Sequence, residues 1–171
     1  MTEKLIYKNK YLNITKSKDY YFYDENETQV MVLPVINKKK FIFVKQYRKP
    51  LNKFTYEFPA GGCLDKTEKP LDAAIRELKE ETGISIRKNK INKLNTVSAN
   101  PQRQKKLVHI FLANIDLKEF KNRSKVKSHE INTIETKSLK EVVSMFKNRK
   151  IVSGVVGFVF LNYLLNHKKI I

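Results

Sequence analysis

The feature that most constrains the fold is a predicted helix that carries three glutamates close together. Pro70, a favourable first-turn residue, and Gly83 bound this helix. Glu77 and Glu81 are four residues apart and share a face beside Glu80, directed away from the apolar residues. Those apolar residues recur at the spacing of one helical face: Leu71, Ala74, Ile75 and Leu78. The segment therefore predicts a helix docked on a core by one stripe, with carboxylates outside that stripe.

The clustering of the glutamates calls for a physical explanation. Three carboxylates on one face repel each other, and the negative end of the helix dipole disfavours them further. A bound divalent cation would explain the cluster, and an all-oxygen ligand set selects Mg²⁺, with Mn²⁺ as the alternative. An ordinary charged face with Lys79 as the partner of the glutamates would also produce this pattern. The helix alone leaves both interpretations open.

The spacing around the cluster resembles the signature of the Nudix hydrolases. That signature reads glycine, five residues, Glu, seven residues, then REUxEExGU with U aliphatic. Its nine specified positions are all matched, by Gly62, Glu68, Arg76, Glu77, Leu78, Glu80, Glu81, Gly83 and Ile84. The resemblance implies the α/β (α+β) class, as an α/β/α sandwich with a mixed sheet, and a hydrolase acting on a nucleoside diphosphate linked to another group.

The same resemblance assigns roles to residues of this chain. It implies that the metal ligands are Glu77, Glu80 and Glu81. It implies that Glu68 pairs with Arg76 to fix the loop against the helix, and that the carbonyl of Gly61 is a further metal ligand. Because this chain has one extra residue before the signature glycine, that carbonyl ligand stays open between Ala60 and Gly61.

Flanking segments resemble the ADP-ribose and nucleoside diphosphate sugar pyrophosphatase branch. The matching segments are residues 46–50, 57–61 and 109–113. Arg48 is a candidate for binding a substrate phosphate or for pairing with Glu57, which makes both residues candidates for the substrate site. The resemblance implies cleavage of ADP-ribose or a related nucleotide sugar into a nucleoside monophosphate and a sugar phosphate.

The general base is a separate question, because the loop that carries a Glu in many relatives lacks an acid here. Residues 102–106 are amide and basic. Glu130 is the best candidate, since neighbours such as Lys125 and Lys127 would keep its carboxylate ionised. Glu80 is the next candidate, and the plain alternative is that Glu130 is an ordinary loop acid.

Other functions are compatible with the same signature. One alternative is a Nudix hydrolase of a dinucleoside polyphosphate, NADH, an oxidised dNTP or capped RNA. The other is a non-catalytic domain that binds a nucleotide or RNA, against which the intact glutamates argue. The net charge is +18, from 35 Lys+Arg against 17 Asp+Glu, but only six of the basic residues are Arg. A Lys-rich solvated surface explains this charge, so nucleic acid is not the favoured partner.

The rest of the chain predicts its organisation. We expect a short β appendage over residues 1–28, a hydrolase domain over residues 29–171, and further helices after Ser138 and near Ser153. One cysteine excludes a disulfide scaffold, and residues 151–165 are too short and mixed to span a bilayer, so we expect a cytoplasmic protein. Aromatic residues in the N-terminal strands predict a homodimer.

Overall fold

The computed structural model describes residues 3–25, 27–126 and 130–167, and its architecture is mixed α+β. The strands are β1 (Lys4–Lys8), β2 (Leu12–Ser17), β3 (Tyr20–Glu25), β4 (Gln29–Ile36), β5 (Lys40–Arg48), β6 (Lys53–Glu57), β7 (Ala60–Gly62), β8 (Ile91–Val97), β9 (Val108–Ile115) and β10 (Ile131–Ser138). The helices are α1 (Pro70–Thr82), α2 (Leu117–Lys121), α3 (Leu139–Lys147) and α4 (Gly154–His167).

A seven-stranded mixed sheet forms the centre of the structure. Its path is β10-β5-β4-β9-β8, and β6 and β7 pair with β5 and β4 off that path. The β4–β9 pair is parallel, running from Gln29 opposite Val108 to Ile36 opposite Ile115, while the other pairs are antiparallel. The sheet therefore has the mixed character that the resemblance implied.

The central sheet is covered by helices on both faces. Along β4, Leu33 and Val35 belong to the core shared with α3 and α4, whereas Val30 and Val32 belong to the core shared with α1. Because successive side chains of a strand point to opposite faces, this alternation places the strand between two apolar layers. The predicted α/β/α arrangement is confirmed.

The helices that the sequence predicts are present, and their ends have local causes. Gly83 ends α1 in the left-handed region with φ 72°, where glycine is favoured. Ser138 and Glu141 form the predicted capping box at the start of α3. Two short elements were not predicted. A capping box of Asp116 and Glu119 begins α2, and β7 forms where the Pro-Ala-Gly-Gly run predicted only a break.

The N-terminal strands form a second, three-stranded antiparallel sheet in the order β1-β2-β3. Strand β3 contacts the loop between β8 and β9, where the Tyr23 backbone N–H donates to the Arg103 carbonyl at 2.7 Å. The predicted division of the chain at residue 28 stays a prediction. Among the described helices, none has the length and apolar character that a membrane span requires. The cytoplasmic location likewise stays a prediction.

Candidate active site

The glutamates of α1 do not share one environment. Glu77 and Glu81 are buried, with 9% and 7% exposure, whereas the side chain of Glu80 is 54% exposed. The expectation that all three point away from the core is therefore wrong for Glu77 and Glu81. The buried face of α1 differs from the predicted apolar stripe. It includes Ala74 and Leu78, which are fully buried, and it extends to the two glutamates. The short strand β7 lies beside this face of α1.

Arg76 connects the loop before α1 to the carboxylates on it. Its guanidinium donates to both carboxylate oxygens of Glu68 at 3.0 and 3.1 Å, which is the pair that the resemblance implied. It also donates to the Gly62 carbonyl at 2.7 Å, to Glu77 at 2.7 Å and to Glu80 at 3.0 Å. These contacts, above all those with Glu68, raise the pKa of Arg76 above its ordinary value. Arg76 therefore fixes loop, strand and helix together.

Glu81 lies deepest in the cluster. Its carboxylate accepts a hydrogen bond from the Ala60 backbone N–H at 3.3 Å and another from the Gln46 side-chain amide at 3.2 Å. Burial raises the pKa of Glu81 to about 8, and repulsion from Glu77 contributes in the same direction. Burial also raises the pKa of Glu77, against the opposing effect of Arg76. The carboxyl groups of Glu77 and Glu81 are thus held close together in a buried environment that disfavours their negative charge.

The pairing register of β7 with β4 indicates which backbone carbonyl, that of Ala60 or that of Gly61, is available as a metal ligand. The Val32 N–H donates to the Pro59 carbonyl and the Cys63 N–H donates to the Thr28 carbonyl, so these two antiparallel positions are hydrogen-bonded pairs. Such pairs alternate along the ladder, which turns the Gly61 carbonyl toward β4. The Ala60 carbonyl then points away from β4, on the side where the Ala60 N–H donates to Glu81 of α1. The register therefore favours Ala60 over Gly61 as the carbonyl ligand.

Gly61 has a different role in this geometry, because it allows the strand to approach α1 closely. A Cβ atom built on Gly61 would lie 2.2 Å from Glu77 Oε1, inside contact distance. The atom it meets is the end of a flexible side chain, so a methyl group at this position would displace the carboxylate without disrupting the sheet. Gly61 is therefore a positioning residue for Glu77.

Gly61→Ala is expected to lower kcat by about 10²-fold, because a catalytic group displaced by about an ångström loses its productive geometry. The melting temperature should change little. Gly157→Ala is the matched control, since the nearest atom to its added methyl, Phe146 Cε1, lies at an ordinary 3.6 Å. Steady-state kinetics and thermal melts of both variants test this, and unchanged kcat in Gly61→Ala would contradict it.

The donor set fits a divalent cation. Within the described residues, no three His, Cys, Asp or Glu side chains converge on one point, since Arg76 lies between Glu77 and Glu80. The available donors are hard carboxylate and carbonyl oxygens, which suit a divalent cation such as Mg²⁺. In addition, the buried Gln46 Oε1 has no hydrogen-bond partner among the described residues. A cation here would offset the burial and the repulsion that together raise the pKa of Glu77 and Glu81.

Arg48 and Glu57 form a bidentate ion pair. Arg48 Nε donates to Glu57 Oε1 at 2.7 Å and Nη2 donates to Oε2 at 2.6 Å. Although burial opposes it, hydrogen bonds from Arg48 and Thr55 hold the pKa of Glu57 below its ordinary value. Of the two roles that the sequence left open for Arg48, the structure shows the pairing with Glu57. Their role in binding substrate stays a prediction.

Glu130 lies close to the carboxylate cluster of α1. It is exposed and directly precedes Ile131, which is opposite Gln46 in the β10–β5 ladder. Its charge contributes to the raised pKa of both Glu81 and Arg48. Of its predicted basic neighbours, Lys125 is described, whereas Lys127 lies outside the described residues. Glu130 is therefore placed at the edge of the carboxylate cluster.

Sequence reasoning missed Gln46, the buried residue that contacts Glu81. The segment 46–50 resembles one branch of the family, but no helical or strand periodicity indicates that its first residue reaches α1. A glutamine in an otherwise apolar strand was the available signal, because a buried polar side chain requires a partner. Cys63 is buried and free.

Comparisons with known proteins show what the chain is similar to. A family model described as NUDIX domain matches residues 25–154. The chain is 32% identical over 129 residues to the ADP-ribose pyrophosphatase of Bacillus subtilis (strain 168), which covers 75% of this chain and 68% of that protein. It is 31% identical over 143 residues to the methanol dehydrogenase activator of Bacillus methanolicus, covering 81% of this chain and 75% of that protein.

A solved structure shares the fold over almost the whole chain. The crystal structure of an ADP compounds hydrolase superposes with a TM-score of 0.74 and covers 99% of this chain and 95% of that one. The two sequences are only 16% identical, so this likeness concerns the fold alone.

Proposed function

Because the chain belongs to the Nudix family of hydrolases, we propose that it is a Mg²⁺-dependent pyrophosphohydrolase that cleaves ADP-ribose or a related nucleoside diphosphate sugar. The relatives named for such activities support this substrate class. They include an ADP-ribose pyrophosphatase and, over 58 residues at 45% identity, the ADP-sugar pyrophosphatase of Mus musculus, which covers 32% of this chain and 26% of that protein.

The observation that carries the proposal is the burial of Glu77 and Glu81 together. Two carboxyl groups with raised pKa lie beside a strand whose glycine admits the Glu77 carboxylate. Acids whose pKa is raised in this way are characteristic of functional sites, where burial and like charges are brought together. Glu77, Glu80 and Glu81, with the carbonyl of Ala60, are the residues that would hold Mg²⁺. When bound, Mg²⁺ would neutralise the negative charge of the phosphates and polarise a water molecule.

The protein's own residues have distinct tasks in the reaction. A water oxygen forms a bond to one phosphorus of the diphosphate, and the bond from that phosphorus to the bridging oxygen breaks. Glu130 accepts the proton of the attacking water, and the leaving phosphate takes up the released charge. The ion pair of Arg76 and Glu68 holds the loop before α1 in place against the helix during the reaction. The products are a nucleoside monophosphate and a sugar phosphate.

A hydrolysis screen tests the proposed substrate class. Purified protein with Mg²⁺ is assayed with ADP-ribose, GDP-mannose, UDP-glucose, NADH, diadenosine polyphosphates and 8-oxo-dGTP, and products are identified by chromatography. We expect ADP-ribose or another nucleotide sugar to have the highest kcat/KM, with no turnover in excess chelator. Highest kcat/KM with 8-oxo-dGTP or NADH would contradict the proposal.

Glu130→Gln is expected to lower kcat by about 10²–10⁴-fold, the usual range for removal of a general base. KM should stay nearly unchanged, because the lost interaction belongs to the transition state. The position of Glu130 beside Gln46 and within electrostatic reach of Glu81 supports this role. Steady-state kinetics with ADP-ribose measure both constants.

Glu141→Gln is the control for the loss of one carboxylate. Glu141 caps α3, and glutamine at the same position can preserve the capping box, so kcat should be retained. If kcat of Glu130→Gln lies within about threefold of the parent, Glu130 is a bystander. The base would then be assigned to Glu80.

We also propose that the protein is a homodimer that associates through its N-terminal sheet. All of β1 is exposed, and several large apolar side chains on this sheet are exposed as well: Leu5, Ile6, Tyr7, Tyr11, Tyr20 and Tyr21. An unpaired edge strand with apolar side chains favours association.

Light scattering is expected to give twice the chain mass of 20.1 kDa at micromolar concentration. Ile6→Lys should shift the mass to that of one chain, because it introduces a charge on the proposed interface. Leu161→Lys, at an exposed position of α4, is the control and should leave the mass unchanged. A parent protein of single-chain mass would rule out the dimer.

A further inference from the structure

Gln46 is a buried polar side chain that reaches the carboxylate cluster from the central sheet. It lies on β5 with 3% exposure, and its amide nitrogen Nε2 donates to Glu81 Oε1 at 3.2 Å. The other carboxylate oxygen of Glu81 accepts from the Ala60 backbone N–H at 3.3 Å. Each oxygen of this carboxylate therefore has a donor within the protein, one from β5 and one from β7. The two donors together orient the carboxylate.

Stability alone is a poor explanation for an amide at this position. The Gln46 oxygen Oε1 is buried without a hydrogen-bond partner among the residues that the structure describes. A buried acceptor that loses its hydrogen bonds to water and gains none destabilises the folded state. When Glu81 is ionised, as a metal ligand must be, turning the amide over would place Oε1 against a carboxylate oxygen. The unpaired oxygen is thus a consequence of directing Nε2 at Glu81.

The place of Gln46 in the sheet makes it a rigid support. Its backbone is paired with Thr55 of β6 on one side and with Ile131 of β10 on the other. A side chain on a strand that is held from both sides is placed more precisely than one on a loop. Glu81 needs such support, because burial and repulsion from Glu77 both oppose its ionised form. Without Gln46, rotation of the Glu81 side chain away from Glu77 would relieve part of this repulsion.

We propose that Gln46 is a positioning residue for Glu81, and that it holds the carboxylate in the orientation that binds the divalent cation. This inference rests on the proposed function, because it takes Glu81 as a ligand of that cation. Loss of a hydrogen bond that orients a metal ligand typically costs about 10–100-fold in metal affinity or activity. The buried amide of Gln46 contacts the ligand, so its effect on the reaction passes through the cation.

Metal binding by the full chain without substrate tests this role. Gln46→Met keeps a side chain of similar length, removes the donor, and removes the unpaired oxygen as well. Titration with Mn²⁺, followed by electron paramagnetic resonance of the free ion, is expected to show about tenfold weaker binding than in the parent. The melting temperature of the metal-free variant should not fall, because the unpaired acceptor is lost together with the donor.

Two further variants complete the titration. Gln102→Met makes the same replacement at an exposed position and should bind Mn²⁺ as the parent does. Gln46→Asn keeps an amide that is one methylene too short to reach Glu81, and it should bind as weakly as Gln46→Met. If Gln46→Met does not fold, Gln46→Asn decides the question. Mn²⁺ affinity equal to that of the parent in the folded Gln46 variants, or no Mn²⁺ binding by the parent, would overturn the proposal.

The dependence of turnover on Mg²⁺ separates this role from a direct role in the chemical step. At low Mg²⁺, turnover of ADP-ribose by Gln46→Met should be about tenfold below that of the parent. At saturating Mg²⁺ it should return to within about threefold, because excess cation refills the weakened site. A loss that Mg²⁺ does not restore would overturn the proposal. If the parent binds Mn²⁺ but hydrolyses no nucleotide sugar, the proposed function fails, and the Mn²⁺ titration still decides the role of Gln46.

Discussion

Glu81→Gln is expected to lower turnover by about 10²–10³-fold while making the metal-free protein more stable. The substitution keeps the shape of the side chain and removes a carboxylate from the proposed Mg²⁺ site. The remaining amide can still accept the hydrogen bond from the Ala60 N–H and can donate to Gln46 Oε1, which otherwise has no described partner. Loss of activity with a gain in stability separates a functional residue from a structural one.

The gain in stability should depend on pH. The pKa of Glu81 is raised from 4.5 to about 8 in the folded protein, so the folded state binds this proton more tightly than the unfolded state does. Below pH 4.5 both states are protonated and the group contributes nothing. Between pH 4.5 and pH 8 unfolding is increasingly favoured, by about 5 kcal/mol once the group is fully ionised in the folded protein above pH 8. The variant should therefore exceed the parent in melting temperature at pH 8.5 and approach it near pH 4.5.

Glu80→Gln is the control for the stability part of this prediction. Glu80 is more than half exposed, so its replacement should lower turnover without a pH-dependent gain in stability. Activity assays with Mg²⁺ and melts in EDTA across this pH range make the comparison. Full activity of Glu81→Gln, or activity of the parent in excess chelator, would contradict the assignment of the metal site.

Arg76→Lys is expected to lower the free energy of unfolding by about 3 kcal/mol, although the charge is retained. An ammonium group cannot reproduce the two parallel hydrogen bonds to Glu68 together with the one to the Gly62 carbonyl. At least one partly buried acceptor is left without its donor, and that loss sets the size of the effect. Because Arg76 also contacts Glu77, kcat should fall as well.

Urea denaturation of the metal-free protein measures this effect. Arg87→Lys is the matched control, since Arg87 is exposed and precedes only a short 3₁₀ turn. The control should stay within about 0.5 kcal/mol of the parent, as is usual for an exposed substitution. A similarly small change in Arg76→Lys would show that the guanidinium contacts contribute little to stability.

Local sequence signals were sufficient to predict the three longer helices, α1, α3 and α4, and to identify the glutamates of α1 as a cluster. Pro70 and Gly83 mark the ends of α1, and the Ser138–Glu141 pair marks the start of α3, because each end is determined by residues within one turn. The pairing of Glu68 with Arg76 followed from the resemblance and is present in the structure. These features depend on short stretches of chain, which a sequence displays directly.

Features that depend on contacts between distant segments could not be predicted. The burial of Glu77 and Glu81 depends on the placement of β7 against α1, which no periodicity within α1 reveals. The contact from Gln46 to Glu81 joins two elements whose distance is set by the sheet. Strand β7 itself is only three residues long and contains two glycines, so it carries no strand pattern. The strand register, rather than residue type, favours the carbonyl of Ala60 over that of Gly61 as the proposed metal ligand.

The parallel β4–β9 pair has a consequence for how the chain folds. It joins residues 29–36 to residues 108–115 at the middle of the sheet, so the intervening segment must close as one large loop before the pair forms. The β4–β5 hairpin and the backbone hydrogen bonds of α1 join residues that are near each other in the chain, so both elements can form earlier. Long-range pairing of this kind raises contact order and slows folding. The carboxylate site needs β5, β7 and α1 but no residue of β9, so its framework can assemble before the slowest step is complete.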